Sequence, residues 1–303
     1  MPVDRMPALS LVAVPGRRKQ TLELAQEIER RGFAGIYCSS FGDGIGLCLS
    51  LAHVTTRIPF GTGIAVIYQR TAIDMANAAA YLHEISGGRF HLGLGVSHEP
   101  ALQRLGVKAG KPLSDMRRYV EQMRAAEPQT GKLPPIVLAT LRTKMTAMSA
   151  EIAEGAMWAN ASLSHLPASL SHIPAEKRAG DFFVGNMLPT CIDDDREAAA
   201  AVCRKSMLGY LNLPNYRNYW KEAGYVEEME AVEKALAAGE RDKLASLMTD
   251  RWLADSTLFG SVKQVREGLE KWFAAGMKTP ILAPASTKGG QMKAFEEAFA
   301  AFA

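Results

Sequence analysis

"ISGGRFHLGLGV", residues Ile85 to Val96, closes one segment on two adjacent glycines and then alternates without a break. Phe90, Leu92, Leu94 and Val96 fall on one side, and His91, Gly93, Gly95 and Ser97 on the other. Alternation is the period of a strand, whose successive side chains point to opposite faces. One face is therefore apolar and the other almost bare. A glycine inside a strand loses more entropy than any other residue and packs nothing, so two on one face mean that something approaches the backbone there. Two readings are open: small residues filling a tight interior layer, or space kept for a ligand.

Working outward, other β-rich runs surround this one. They are "ALSLVAV" (Ala8 to Val14), "AGIYC" (Ala34 to Cys38), "PFGTGIAVI" (Pro59 to Ile67), "PPIVLAT" (Pro134 to Thr140), "GAMWAN" (Gly155 to Asn160), "DFFVGNML" (Asp181 to Leu188) and "TPILAP" (Thr279 to Pro284). Helical spacing fills most of the gaps, as in "RKQTLELAQEIERRG", where Leu22, Ala25, Ile28 and Glu29 trace a stripe and Gly32 supplies the stop. A helix between successive strands forces parallel pairing through crossovers. Eight such units close a (β/α)8 TIM barrel; a doubly wound open sheet shows similar alternation, but a chain of 303 residues favours the barrel. Between the seventh and eighth strands, from about Cys191 to Leu258, lies a longer helical insertion with the aromatic stretch "NLPNYRNYWKEAGY". Its periodicity makes it an elaboration of one domain spanning 1–303.

Composition removes whole classes of function. With 35 basic against 32 acidic residues the net charge is +3, too even and too dispersed for a nucleic-acid footprint. No run approaches the roughly 20 apolar residues that span a bilayer, and "MPVDRMPALSLVAVPG" has too short an apolar core for a signal peptide, so the expected location is the cytoplasm. Cys38, Cys48, Cys191 and Cys203 form no C-x-x-C pair and read as buried thiols. Among the histidines the spacing of His165 and His172 is broken by Pro167, and no metal site is expected.

The run "GLGVSH" is a G-x-G-x-x-H, which lacks the third small residue a dinucleotide-binding fingerprint needs. In a barrel, however, glycines near the C-terminal end of a strand open the mouth, where barrel enzymes place ligands. "RRGFAGIYCSS", "RIPFGTGIAV", "ISGGRFHLGLGVSHE", "AEIAEGAMWAN" and "GSVKQVREGLEKWFAAGMKTPILAP" follow one another in an order that resembles the bacterial luciferase-like monooxygenase superfamily. Within it the chain is most similar to the deazaflavin-dependent oxidoreductases, which use coenzyme F420. The resemblance implies a (β/α)8 barrel with an insertion after the seventh strand and a flavin or deazaflavin ring at its C-terminal mouth.

Carried over position by position, the resemblance implies particular roles. Gly63 and Ile64, followed by Ala65, stand where related enzymes have a non-proline cis peptide that presses on one face of the ring. Gly95, Val96 and Ser97 match the strand end beside the ring. In "ATLRTKM", Thr140, Leu141, Arg142 and Thr143 occupy the turn whose amides hold the cofactor phosphate at a helix start, although the family's glycine and proline are absent. Asn160 and Ala161, with Ser162, line the same wall. Catalysis is where the chain departs: an acidic residue followed by histidine is usual after the second strand, and Ser40 and Phe41 stand there. His98 is the candidate proton-transfer residue, with Glu99 and Asp43 also within reach by sequence position. Arg70 matches a family arginine but lacks the proline that usually follows.

The expected function is hydride transfer between F420, or FMN as second choice, and a small organic substrate. Two other readings stand beside it: an FMN-dependent monooxygenase, and a cofactor-binding protein without catalysis. A homodimer is usual among similar proteins, and the small-residue helix "AIDMANAAAYL" either serves as its interface or packs on the sheet.

Overall fold

The computed structural model describes residues 5–302; Met1–Asp4, part of the stretch read above as too short for a signal peptide, lie outside the described residues. In the first half strand and helix alternate: β1 (Ala8–Leu11), α1 (Arg18–Arg30), β2 (Ile36–Ser39), α2 (Gly44–Val54), β3 (Phe60–Gly63), β4 (Ala65–Val66), α3 (Ala72–Ile85), β5 (Phe90–Gly95), α4 (Glu99–Arg104), α5 (Pro112–Thr130), β6 (Ile136–Ala139), α6 (Thr143–Ile152) and β7 (Gly155–Ala159). The short helices α7 (Leu166–Leu170) and α8 (Ala175–Ala179) lead to β8 (Phe183–Ile192). Four helices follow: α9 (Arg196–Leu211), α10 (Pro214–Glu222), α11 (Val226–Ala237) and α12 (Asp250–Ser256). The chain ends with β9 (Leu258–Gly260), α13 (Val262–Ala274), β10 (Thr279–Ala285) and α14 (Gln291–Ala301).

The strand order β10-β1-β2-β3-β5-β6-β7-β8, with β10 also paired to β8, is that of a closed (β/α)8 barrel. β4 pairs with β5 beyond a break in the third barrel strand, and β9 adds to the end of β8. β4 falls inside the run read above as one strand, Pro59 to Ile67, and β9 is not legible in the sequence pattern. The chain divides into two compact units, one of residues 5–157 with 172–185, the other of Trp158–Ser171 with Asn186 onward.

Within the first unit the strands read as near-continuous apolar runs because both faces are covered. Phe90, Leu92 and Leu94 are fully buried, and α1 buries Leu24, Ala25 and Ile28 before Gly32 stops it in a left-handed turn at φ 78°. Leu24 takes the place the spacing gave to Leu22, which is half-buried. Glu29 is buried because its carboxylate accepts hydrogen bonds from the amides of Thr56 (2.9 Å), Arg57 (2.7 Å) and Ile58 (2.9 Å), tying α1 to the approach of β3. On α3 the small residues Ala72, Ala76, Ala79 and Ala80 are buried, while Ile73 and Tyr81 are exposed on another face. The small-residue stripe is therefore a packing surface.

One layer of the interior face is aromatic. Tyr37, Gly61 and His91 are successive partners across β2, β3 and β5, and Phe183 stands 5.3 Å from Tyr37 and 5.7 Å from His91, ring to ring. The Tyr37 hydroxyl and His91 Nδ1 are 3.2 Å apart. Burial, with His83 nearby, holds the His91 pKa below its ordinary value, and burial with Lys132 does the same for His83. A histidine whose folded pKa is depressed contributes stability that is fully present above the unfolded value of about 6.5 and is lost as pH falls through the folded one. The expected result is a denaturation midpoint that is flat from pH 8 to about 6.5 and falls below it. His91→Gln is expected to flatten that fall; urea melts of both proteins between pH 5 and 8 check it.

Candidate active site

The C-terminal ends of β2, β3, β5 and β6 carry most of the residues singled out in the sequence. The Gly63–Ile64 peptide is cis, and it separates β3 from β4. Ala65 and Val66 pair with Leu94 and Gly95, so the segment rejoins the sheet beyond the bulge. Ile64 points at Gly95: a Cβ built there would lie 2.6 Å from Ile64 Cδ1 and 3.2 Å from the Ala139 Cβ.

The bare face of β5 is thereby explained atom by atom. At Gly93 an added Cβ would meet the Thr62 carbonyl oxygen at 1.9 Å, and at Gly61 the His91 carbonyl oxygen at 2.4 Å. The Thr62 hydroxyl also donates to the Gly93 carbonyl at 2.7 Å. What approaches these glycines is the neighbouring strand itself. Only at Gly95 is the neighbour a flexible side chain, that of Ile64.

Around this bulge the surface is small, apolar and uncharged. Ser39 is the register partner of Gly63 and, two residues on from Tyr37, shares its face. Its hydroxyl is buried with no hydrogen-bond partner. Ser40, the next residue, is exposed past the strand end, and Phe41 beside it is 72% exposed. Ser39 and Ala139 lie beside the bulge though the sequence reading passed over both; alternation with Tyr37 and Val137 was the signal.

Ser97 follows β5 with φ 61°, and Asn160 follows β7 with φ 56°. They are the non-glycine residues with left-handed backbone among those described. His98 forms the N-terminal boundary of α4 and is half-buried, and burial lowers its pKa, so it is neutral near pH 7. The two other acid candidates have local partners: Asp43 caps α2 through the Gly46 amide at 2.9 Å, and Glu99 accepts from Gln103 at 3.0 Å. Arg70 pairs with Asp74 at 3.1 Å at the start of α3, and its carbonyl accepts from the Tyr119 hydroxyl at 3.1 Å.

The turn from Thr140 to Thr143 opens α6, with Arg142 at the boundary and no side-chain cap. Thr140 is 5% exposed and its hydroxyl has no partner. Thr143 Oγ1 stands 3.3 Å from His172 Nε2, a residue that no motif placed here. Uncapped first-turn amides beside Arg142 and Lys144 make a favourable environment for an anion.

Asn160, Ala161 and Ser162 belong to the other unit, in which Tyr216, Tyr219 and Trp220 are buried packing residues of α10. A cavity of about 280 Å³ in that unit, walled in part by Arg196, Phe259, Glu267, Lys271 and Trp272, contains none of the residues above. No group of three or more His, Cys, Asp or Glu arranged to hold a metal ion occurs among the described residues, and all four cysteines are buried free thiols. Nor, among those residues, is any helix long and apolar enough to cross a membrane.

Comparison with known proteins agrees with this fold. The family model described as luciferase-like monooxygenase matches residues 9–279, and the chain belongs to that family. A putative coenzyme F420-dependent oxidoreductase of Mycobacterium tuberculosis is 25% identical over 281 residues, covering 77% of this chain and 81% of the relative. The coenzyme F420-dependent tetrahydromethanopterin reductase of Methanopyrus kandleri superposes with a TM-score of 0.77 at 18% identity, over 97% of both chains. A type II Baeyer-Villiger monooxygenase of Pseudomonas putida, solved with FMN, superposes with a TM-score of 0.59 at 16% identity, over 92% of this chain and 91% of that one.

Proposed function

We propose that this member of the luciferase-like monooxygenase family is an oxidoreductase that binds coenzyme F420 and transfers a hydride to or from a small organic substrate. The observation that carries the reading is the backbone at two strand ends: Ser97 and Asn160 hold the left-handed conformation without being glycine. That conformation costs roughly 1 kcal/mol for most L residues and less for asparagine, and such positions cluster at ligand clamps.

The residues present fit a flat, largely apolar ring with an anionic tail. Gly63, Ile64, Ala65, Gly95 and Ala139 offer an uncharged bed, and the unpartnered Ser39 hydroxyl supplies a polar group at its edge. Val96 and Ser97 flank it, and the α6 start at Thr143, preceded by Leu141 and Arg142, suits the phosphate, while the Thr140 amide is already bonded to the Met157 carbonyl at 2.8 Å. Asn160 and Ala161 are assigned to the cofactor by the motif resemblance. When bound, the cofactor supplies the redox chemistry, and the protein's work is orientation. His98, neutral because it is buried, accepts a proton; the exposed Ser40 hydroxyl relays one to solvent. F420 is the first choice because two of the three similar proteins named above carry it in their names.

FMN-dependent oxygenation is the second reading, supported by the FMN-bound neighbour. Retention of the pocket without catalysis is the third, kept by Ser40 and Phe41 in place of the acid-histidine pair. Substrate screens with reduced F420 under nitrogen separate them. Turnover without oxygen supports the oxidoreductase, turnover that requires and consumes oxygen with FMN replaces it by the monooxygenase, and binding without hydride exchange leaves the third.

The same proposal places the protein in the cytoplasm as a homodimer, with no nucleic-acid or membrane partner. Ile73 and Tyr81, 61% and 55% exposed on α3, are the apolar residues it assigns to the dimer contact. The double variant Ile73→Glu, Tyr81→Glu is expected to elute as a monomer with an unchanged circular dichroism spectrum. Light scattering that finds wild type and variant at the same mass contradicts the assignment.

A further inference from the structure

The turn after β7 is gripped at each residue. The Asn160 amide donates to the Met187 carbonyl at 3.0 Å, and the Asn160 carbonyl accepts from the Trp220 indole at 3.3 Å. Ala161 N–H donates to Asn186 Oδ1 at 3.3 Å, and Ser162 N–H donates to the Tyr219 hydroxyl at 3.0 Å. Ser162 Oγ and Ser256 Oγ are 3.3 Å apart. Asn160, Ser162, Asn186, Tyr219, Trp220 and Ser256 are 2% exposed or less. Two of the grips, Tyr219 and Trp220, come from α10, a helix of the segment between β8 and β10.

We infer that Tyr219 and Trp220 are positioning residues for ligand binding: through the Ser162 amide and the Asn160 carbonyl they fix the left-handed turn that Asn160 and Ala161 present. The inference rests on the cofactor reading above. A turn at φ 56° on a residue other than glycine is a minor conformation of the free chain, and it persists where its surroundings over-determine it. Buried amides without acceptors are costly, so each of these bonds restricts the turn to the one shape that satisfies it. The Asn160 Nδ2 is buried without a hydrogen-bond partner. A helix of the insertion thus shapes this turn.

Tyr219→Phe keeps the ring and removes the one acceptor of the Ser162 amide. Trp252→Phe is the control: Trp252 meets Trp220 edge to face at 4.9 Å, and its indole nitrogen has no partner, so it belongs to the same aromatic cluster without gripping the turn. Calorimetric titration with F420, and separately FMN, is read beside the thermal midpoint of each protein. Tyr219→Phe is expected to weaken cofactor binding by about fivefold or more, whereas Trp252→Phe lowers the midpoint and leaves affinity within about twofold. Equal affinity of Tyr219→Phe and wild type overturns the inference, as does equal weakening in both variants, since affinity then follows the stability of the cluster. Failure of the wild type to bind either cofactor overturns the cofactor reading instead, and this inference with it.

Discussion

Gly93→Ala is expected to yield little folded protein. The new Cβ would stand 1.9 Å from the Thr62 carbonyl oxygen and 3.0 Å from its carbon, both backbone atoms of the paired strand. No rotamer relieves such a contact, and the Thr62 hydroxyl bond to the Gly93 carbonyl would break as the strands part. Destabilisation above about 4 kcal/mol belongs to the small class of substitutions that force a change in the core, and domains hold only about 5 to 15 kcal/mol in total. Soluble yield and urea midpoint measure it. A Gly93→Ala protein within about 1 kcal/mol of wild type would contradict the strand pairing described here.

Gly95→Ala, two residues along the same face, is expected to fold and to lose its cofactor. Its Cβ meets the end of the Ile64 side chain at 2.6 Å, which can swing, so the folding cost stays below about 2 kcal/mol. Ile64 is then displaced from the seat it occupies against Gly95 and Ala139. If that seat beds the ring, affinity for F420 falls at least about tenfold, or 1.4 kcal/mol. Unchanged affinity in a well-folded Gly95→Ala protein would separate Gly95 from the site.

The contrast between these two glycines marks how far sequence reasoning reaches. Alternation from Phe90 to Val96 is local, so the strand and its two faces could be read from seven residues. What fills the bare face depends on register across strands: Thr62 lies 31 residues from Gly93, and no pattern within one strand reports which atom faces it. The same applies to the ends of elements. The seventh barrel strand reads as stopping at Leu188, because Pro189 lacks the amide a ladder uses, yet β8 continues to Ile192 and pairs with the three-residue β9.

Site residues divide in the same way. The Gly63–Ile64 bulge and the position of Arg142 at the start of α6 followed from motif resemblance, and the structure places both at strand ends of one unit. The placement of Ser39 beside Gly63 was legible from its two-residue spacing to Tyr37. His172 approaches Thr143 through the path of α7 and α8, for which the sequence offers no signal. Tyr219 and Trp220 stand in the sequence only as part of an aromatic stretch of the insertion; that they bond to the backbone at Ser162 and Asn160 is tertiary information.

The most direct test of the central claim is titration of the purified protein with F420 and, separately, with FMN, followed by intrinsic tryptophan fluorescence. The proposal predicts saturable micromolar binding of F420, with FMN at least about tenfold weaker. Tight FMN binding without F420 binding would replace the deazaflavin reading by the monooxygenase one, and binding of neither would contradict the assignment of the Gly63–Ile64 bulge as a cofactor bed.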